Sequence, residues 1–162
     1  MRRRRCIFIA DAFYEWRRDF SVKGKGKASS QPFLIRRSDG APMAIAGLWE
    51  TWAGPNGEEV DGACVLTTHA NQLISAIHDR MPVILEPEDF DRWLDSDAVS
   101  AEEALALCAA AGEDILEYWP IAPEVNKVVN DDVSIQNPVG ETVRGGARAP
   151  KRPVARQGDL FG

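Results

Sequence analysis

Ala44-Ile45-Ala46-Gly47-Leu48-Trp49-Glu50, then Gly54-Pro55-Asn56-Gly57, then Ala63-Cys64-Val65-Leu66-Thr67: two short apolar runs flank a cluster of glycine, proline and asparagine. Asn-Gly accepts the positive φ that a tight hairpin connection needs, so this stretch predicts an antiparallel hairpin. Comparable runs bounded by turn residues lie at 6–10, 13–16, 32–36 and 81–85 and read as further strands. Together they predict a largely antiparallel sheet with a barrel-like core.

Helices are fewer and fall between or after these strands. Residues 70–77 place Leu73, Ile74 and Ile77 at helical spacing, and 87–94 begins with Pro87, which suits a first helical turn. In 100–111, Ser100 and Glu103 make a capping box and Gly112 stands where a left-handed C-cap belongs. Strands with a few peripheral helices make an α+β domain. From Gly140 onward the sequence is rich in Gly, Pro and Arg without apolar periodicity. The expected organisation is therefore one domain over 1–139 and a flexible basic tail over 140–162.

A chain of 162 residues, 44% apolar, fits one domain with a modest core. No apolar run approaches the roughly 18 residues of a membrane span, and the four arginines Arg2 to Arg5 precede an apolar stretch too short for a signal peptide. Cys6, Cys64 and Cys108 are odd in number and form no Cys-x-x-Cys pair. Neither a disulfide framework nor a zinc site is indicated, which predicts a cytoplasmic protein with no metal or other cofactor. The net charge of −6 argues at first against a nucleic-acid partner, but residues 1–37 carry 11 basic and 3 acidic groups while residues 38–142 carry 3 and 21. Such asymmetry allows one basic face on an acidic body; a solvated N-terminus and a basic tail account for it equally.

Two residues stand out chemically. Strand alternation in Phe13-Tyr14-Glu15-Trp16 sends Tyr14 and Trp16 to one face and Phe13 and Glu15 to the other. A carboxylate among aromatics needs a partner or a function; the plainer reading is an edge-strand glutamate facing water or paired with an arginine such as Arg17. His78 falls at the junction between the 70–77 segment and the 81–85 strand, where functional imidazoles are often displayed, although a lone histidine is more often structural. His69, nine positions earlier, is not at metal-pair spacing. A Cys64–His78–Glu15 nucleophilic triad can be drawn, but Cys64 lies in an apolar run and reads as a small buried hydrophobe, as does Cys108. The alternating Lys23-Gly24-Lys25-Gly26-Lys27 loop lacks P-loop spacing and reads as a solvated turn.

Several blocks in one order resemble a single family. Arg5-Cys6-Ile7-Phe8-Ile9-Ala10-Asp11-Ala12-Phe13-Tyr14-Glu15-Trp16 resembles an Arg-Cys … Pro-Ala-Asp-Gly-Phe-Tyr-Glu-Trp signature. Ala46 to Glu50, Leu66 to Asn71, Ile77 to Leu85, and Val125-Asn126 followed by Asn130-Asp131 are similar to later elements of the same pattern. The family is the SOS-response-associated peptidases, which process abasic sites. The resemblance implies a protein that binds abasic sites in single-stranded DNA and links to them covalently. In that family a cysteine exposed by removal of the initiator methionine supplies both an α-amine and a thiol, which together close a thiazolidine on the sugar aldehyde. By position, Glu15 matches the glutamate that orients the amine and assists proton transfer. His78 matches the histidine that assists sugar ring opening, and Thr67 a pocket threonine. Trp49 and Arg80 are placed to stack on a base and to contact phosphate.

The pattern departs at the start. Members begin Met-Cys-Gly-Arg and carry an Asn-Ala-Arg element, whereas this chain opens Met1-Arg2-Arg3-Arg4-Arg5-Cys6. The nitrogen of Cys6 is an amide, so Cys6 cannot close the ring. The expectation is a domain incomplete at its N-terminus, with apolar sheet edges left exposed. In the tail, Gln157-Gly158-Asp159-Leu160-Phe161 resembles the peptide by which bacterial repair proteins dock on the replication sliding clamp, through Gln157, Leu160 and Phe161. The resemblance implies a monomer acting on abasic single-stranded DNA. The competing reading is a catalytically inactive fragment that binds single strands or the clamp.

Overall fold

The 54–57 turn closes as the sequence requires. In the computed structural model, which describes residues 4–18 and 30–146, the Gly54 N–H donates to Glu58 O at 2.7 Å and the Gly57 N–H to Gly54 O at 3.1 Å. Gly57 takes φ +87°, the conformation that Asn-Gly foretold. The strands so joined are longer than their apolar runs, because pairing extends over Glu59, Asp61 and Gly62, which lie at an exposed edge where polar side chains meet water.

The strands are β1 (Arg5–Ala10), β2 (Ala12–Arg18), β3 (Ser30–Arg37), β4 (Met43–Ala53), β5 (Glu59–Val65), β6 (Thr67–His69), β7 (Arg80–Pro82), β8 (Ile84–Leu85), β9 (Leu116–Pro120) and β10 (Val143–Arg144). Two helices, α1 (Phe90–Leu94) and α2 (Ala101–Ala106), interrupt them. The first sheet runs β1-β4-β5, with β8 also on β4; the second runs β10-β9-β3-β2; β6 and β7 pair alone. Every pairing between these strands is antiparallel, so the α+β, largely antiparallel expectation holds. Only Asp11 separates β1 in one sheet from β2 in the other, so the chain turns a corner there and the two sheets pack face to face.

Between them lies the main core. Met43 and Ile45 of β4, Phe33 and Ile35 of β3, and Leu116 and Tyr118 of β9 close on Ile74, Ile77 and Met81. The far face of the first sheet carries α1 and α2 on Ala46, Val83, Leu85, Trp93 and Ala104. The far face of the second sheet packs Leu34, Trp119 and Ile121 against Tyr14 and Val125. At Gly47 the sheet tolerates no side chain, since a Cβ there would lie 2.3 Å from the Phe8 ring and 3.1 Å from the Cys6 sulfur.

Polar groups tie these layers together. Arg5, 5% exposed, donates to the carbonyls of Trp93 and Asp95 at the C-terminal end of α1, where a cation is favoured, and to Val99 O just before α2. Trp93 Nε1 donates back to Cys6 O at 2.8 Å. Glu117, 1% exposed, accepts from Arg36 Nε at 2.8 Å and from Arg144 Nε at 2.7 Å, one arginine on each neighbouring strand.

Several expectations change. The 70–77 helix is a single 3-10 turn at Ile74–Ala76: Asn71 Oδ1 and the Glu113 carboxylate cap the N–H groups of Gln72, Leu73 and Ile74, the Ile77 N–H closes back on Ile74 O, and the chain enters β7 at Arg80. The 100–111 helix keeps its capping box but stops at Ala106, well short of Gly112. Residues 81–85 form two short strands instead of one, since the Val83 N–H leaves the line to donate to Leu66 O. Cys64 is exposed on the edge strand β5, while Cys108 packs against the α-helical side as read. Sheet pairing continues to Arg144, four residues past the Gly140 boundary. Apolar side chains do lie exposed on the strands: Ile9 at 70% and Val60 at 56%.

Two stability outcomes follow. Glu117→Ala removes a buried carboxylate and its two charge-assisted bonds to the partly exposed Arg36 and Arg144, which should cost about 2 kcal/mol. Thermal unfolding by circular dichroism should then show a Tm lower by roughly 4–8 °C. Gly47→Ala should cost about 2 kcal/mol through overpacking, and Phe8→Leu in the same chain should recover part of it, measured by denaturant midpoints in a double-mutant cycle.

Candidate functional site

Glu15 sits on β2, directly opposite Phe33 of β3. Phe13, Glu15 and Arg17 alternate onto the inner face of the second sheet, the face that joins the main core through Phe13 and Phe33. Glu15 is half-buried, and among the described residues no hydrogen bond or ion pair engages its carboxylate. The plain alternative of a pair with Arg17 is not formed: the Arg17 guanidinium lies over the Phe33 ring, 5.0 Å from its centroid. Arg17 also brings a positive charge toward Tyr118, whose phenol burial pushes up from its ordinary value and the arginine pulls down.

His78 follows the Ile74–Ala76 turn directly after Ile77, and Met81 comes three residues later. Ile77 and Met81 both belong to the core that Phe13 and Phe33 enter, so the segments that carry Glu15 and His78 are anchored in the same apolar cluster. The ring of His78 is held locally. Its Nδ1 accepts from the Arg80 N–H at 3.1 Å and lies 3.2 Å from Asp79 Oδ1.

Thr67 and Arg80 meet across the β6–β7 pair. Arg80 Nε donates to Thr67 Oγ1 at 2.9 Å, and Arg80 NH2 donates to Thr67 Oγ1 at 2.7 Å and to Thr67 O at 2.6 Å. Three of the residues singled out from the sequence, Thr67, His78 and Arg80, are thus one connected unit. Asp79, which sequence reasoning passed over, stands beside it; its place between His78 and Arg80 was the available signal.

Trp49 lies on β4 at 41% exposure, with the Arg4 guanidinium 5.0 Å from its ring centroid and Arg4 also paired to Glu50. It belongs to the same sheet face as Gly47 and is not joined to the Thr67–Arg80–His78 unit by any hydrogen bond. Gln157, Leu160 and Phe161, with the Lys23 to Lys27 loop, lie outside the described residues.

Neither Cys6 nor Cys108 is an activated nucleophile. Burial, with a smaller contribution from Cys64, pushes the Cys6 thiol above its ordinary value, and burial does the same to Cys108. Thiols shifted upward are mostly protonated at neutral pH and react slowly. Among the described residues no group of three or more His, Cys, Asp or Glu is arranged to hold a metal ion. No helix among them is long and apolar enough to cross a membrane.

Other motif residues serve the fold. Asn71 donates to Ala111 O at 3.1 Å while capping Ile74. Asn126 Oδ1 accepts from Trp16 Nε1 at 2.8 Å, and Asn130 closes its own turn on Glu124 O at 2.9 Å.

Residues 1–128 match the family model described as SOS response associated peptidase (SRAP). Among curated relatives the chain is 34% identical over 128 residues to the Abasic site processing protein YoqW of Bacillus subtilis (strain 168), covering 79% of this chain and 54% of that protein. It is 31% identical over 137 residues to the Abasic site processing protein YedK of Escherichia coli (strain K12), covering 83% and 58%. The chain therefore spans little more than half the length of these relatives. A crystal structure of a protein from Bacteroides thetaiotaomicron superposes with a TM-score of 0.72 at 26% identity, covering 84% of this chain and 57% of that one. The order of strands, the Glu15 and His78 segments and these matches agree, and the chain belongs to the SOS response associated peptidase family.

Proposed function

We propose that this chain carries the DNA-recognition and proton-transfer part of an abasic-site processing site, and that its ligand is single-stranded DNA interrupted by an abasic sugar. The observation that supports the reading is the connected Thr67–Arg80–His78 unit, together with a half-buried Glu15 carboxylate that no hydrogen bond or ion pair engages among the described residues. In this reading the carboxylate and the imidazole move a proton to and from a sugar hydroxyl or aldehyde. In this reading Trp49 offers a stacking face for a neighbouring base. Arg80 keeps NH1 for a phosphate while its other donors hold Thr67. The protein acts as a monomer in the cytoplasm on nucleoid DNA, and Gln157, Leu160 and Phe161 recruit it to the sliding clamp.

Covalent capture and self-cleavage need a residue that bears both a free α-amine and a thiol. Cys6 is not that residue, since its nitrogen lies in a peptide bond and β1 pairs it with Gly47. The peptide-bonded nitrogen of Cys6 favours the second reading, a non-covalent binder of abasic single strands.

Fluorescence anisotropy should show an oligonucleotide with one abasic site bound about tenfold more tightly than the intact strand, a difference of about 1.4 kcal/mol. The Glu15→Gln, His78→Ala double variant should bring the two affinities within about twofold. Equal affinity of the wild-type chain for both strands would contradict the proposal. After denaturing electrophoresis no DNA should remain attached to the chain; an attached band that disappears in Cys6→Ser would show Cys6 to be the nucleophile.

A further inference from the structure

The strand register explains why the main chain of Arg80 meets His78. His69 and Arg80 face each other across β6 and β7, and the Ala70 N–H donates to Asp79 O at 3.0 Å. That bond marks the 69–80 pair as one whose own N–H and C=O point away from the partner strand. Both groups of Arg80 therefore reach the ring of His78, the N–H at 3.1 Å and the carbonyl oxygen at 3.3 Å from Nδ1.

Nδ1 thus faces one donor, the Arg80 N–H, and two acceptors, Arg80 O and Asp79 Oδ1 at 3.2 Å. In the neutral ring a proton on Nε2 keeps the Arg80 N–H bond, the shortest of the three contacts at 3.1 Å, whereas a proton on Nδ1 would give that bond up for a longer one to Asp79 Oδ1 or Arg80 O. In the charged ring the added proton on Nδ1 turns to the Asp79 carboxylate in a charge-assisted bond. Both states leave a proton on Nε2 and need no rotation of the ring. The tautomer is set by the hydrogen bond at the other nitrogen, as in other imidazole sites.

We infer that Thr67 is a positioning residue that acts through Arg80 on His78, and that His78 presents an Nε2–H donor to its ligand in both protonation states. Resting on the function proposed above, that ligand atom is an oxygen of the abasic sugar or its phosphate. Three hydrogen bonds from the Arg80 guanidinium to Thr67 hold residue 80, and with it the peptide N–H that occupies Nδ1. Thr67 thus contributes without touching the ring itself.

The test needs no DNA, so its failure is distinct from failure of the binding reading. The chain contains only two histidines, and His69 is exposed, which makes it an internal comparison. Long-range 1H–15N spectra of the imidazoles, recorded where both are neutral, should show His78 as the Nε2–H form alone and His69 as a mixture. Thr67→Ser, which keeps the hydroxyl, should retain the single form. Thr67→Val should move His78 toward the His69 mixture while the amide spectrum reports an intact fold. A wild-type His78 protonated on Nδ1, or Thr67→Ser and Thr67→Val spectra that coincide, would overturn the inference.

Discussion

The packing of two sheets across Ile74, Ile77 and Met81 is the constraint on which the rest of the molecule depends. Because Asp11 alone links β1 to β2, the chain cannot build the first sheet without starting the second at a fixed corner. Phe13 enters the core from that corner, and alternation carries Glu15 onto the same wall. Ile77 and Met81 enter from the other side and fix the short loop between them, which is His78-Asp79-Arg80. The burial that stabilises the domain is therefore the same burial that anchors the two segments carrying Glu15 and His78.

Much of the family signature is devoted to maintaining this arrangement. Gly47 makes room for the Phe8 ring, and Cys6 lends its carbonyl to Trp93. Arg5 closes the end of α1, while Asn71 and Asn126 each secure a loop. These residues read as chemistry-bearing types in a linear motif, yet their partners are main-chain atoms and indoles. Among the described residues, the proposed reading leaves a small set for a ligand: Glu15, His78, Arg80 NH1, and the exposed face of Trp49. Removing any of the first group should act through folding, whereas removing the second should act through binding.

The sequence made the hairpin and the Ser100–Glu103 capping box readable because each depends on local chemistry, a positive φ and a reciprocal pair of hydrogen bonds. The strand β9 was not legible. Leu116-Glu117-Tyr118-Trp119-Pro120 holds a charged residue that only becomes acceptable once Arg36 and Arg144 arrive from strands far away in the chain. The 70–77 segment misled for the converse reason: its apolar spacing is helical, but the chain must reach Arg80 to pair with His69 across β6 and β7, so a single turn forms. Of the proposed site, Glu15, Thr67, His78 and Arg80 were singled out through the order of motif blocks. Composition and spacing alone left Glu15 and His78 as ordinary surface residues. The joining of Thr67 to Arg80 and the occupation of Nδ1 rest on strand register, which no linear pattern displays.

The acidic body also fits this division. Paired charges such as Arg37 with Asp39 and Glu86 are used within the fold, and Asp39 is held at about 2 by that arginine and the Ala41 N–H. Negative groups elsewhere on the surface discourage phosphate, so binding depends on where the few cations lie. Mapping amide chemical shifts during titration with a single-stranded oligonucleotide carrying one abasic site tests this most directly. The account predicts shifts gathered at Glu15, Thr67, Trp49 and His78 to Arg80, larger than those from the intact strand. Shifts centred instead on Arg36 and Arg144 at the outer face of the second sheet, or equal for both strands, would contradict it.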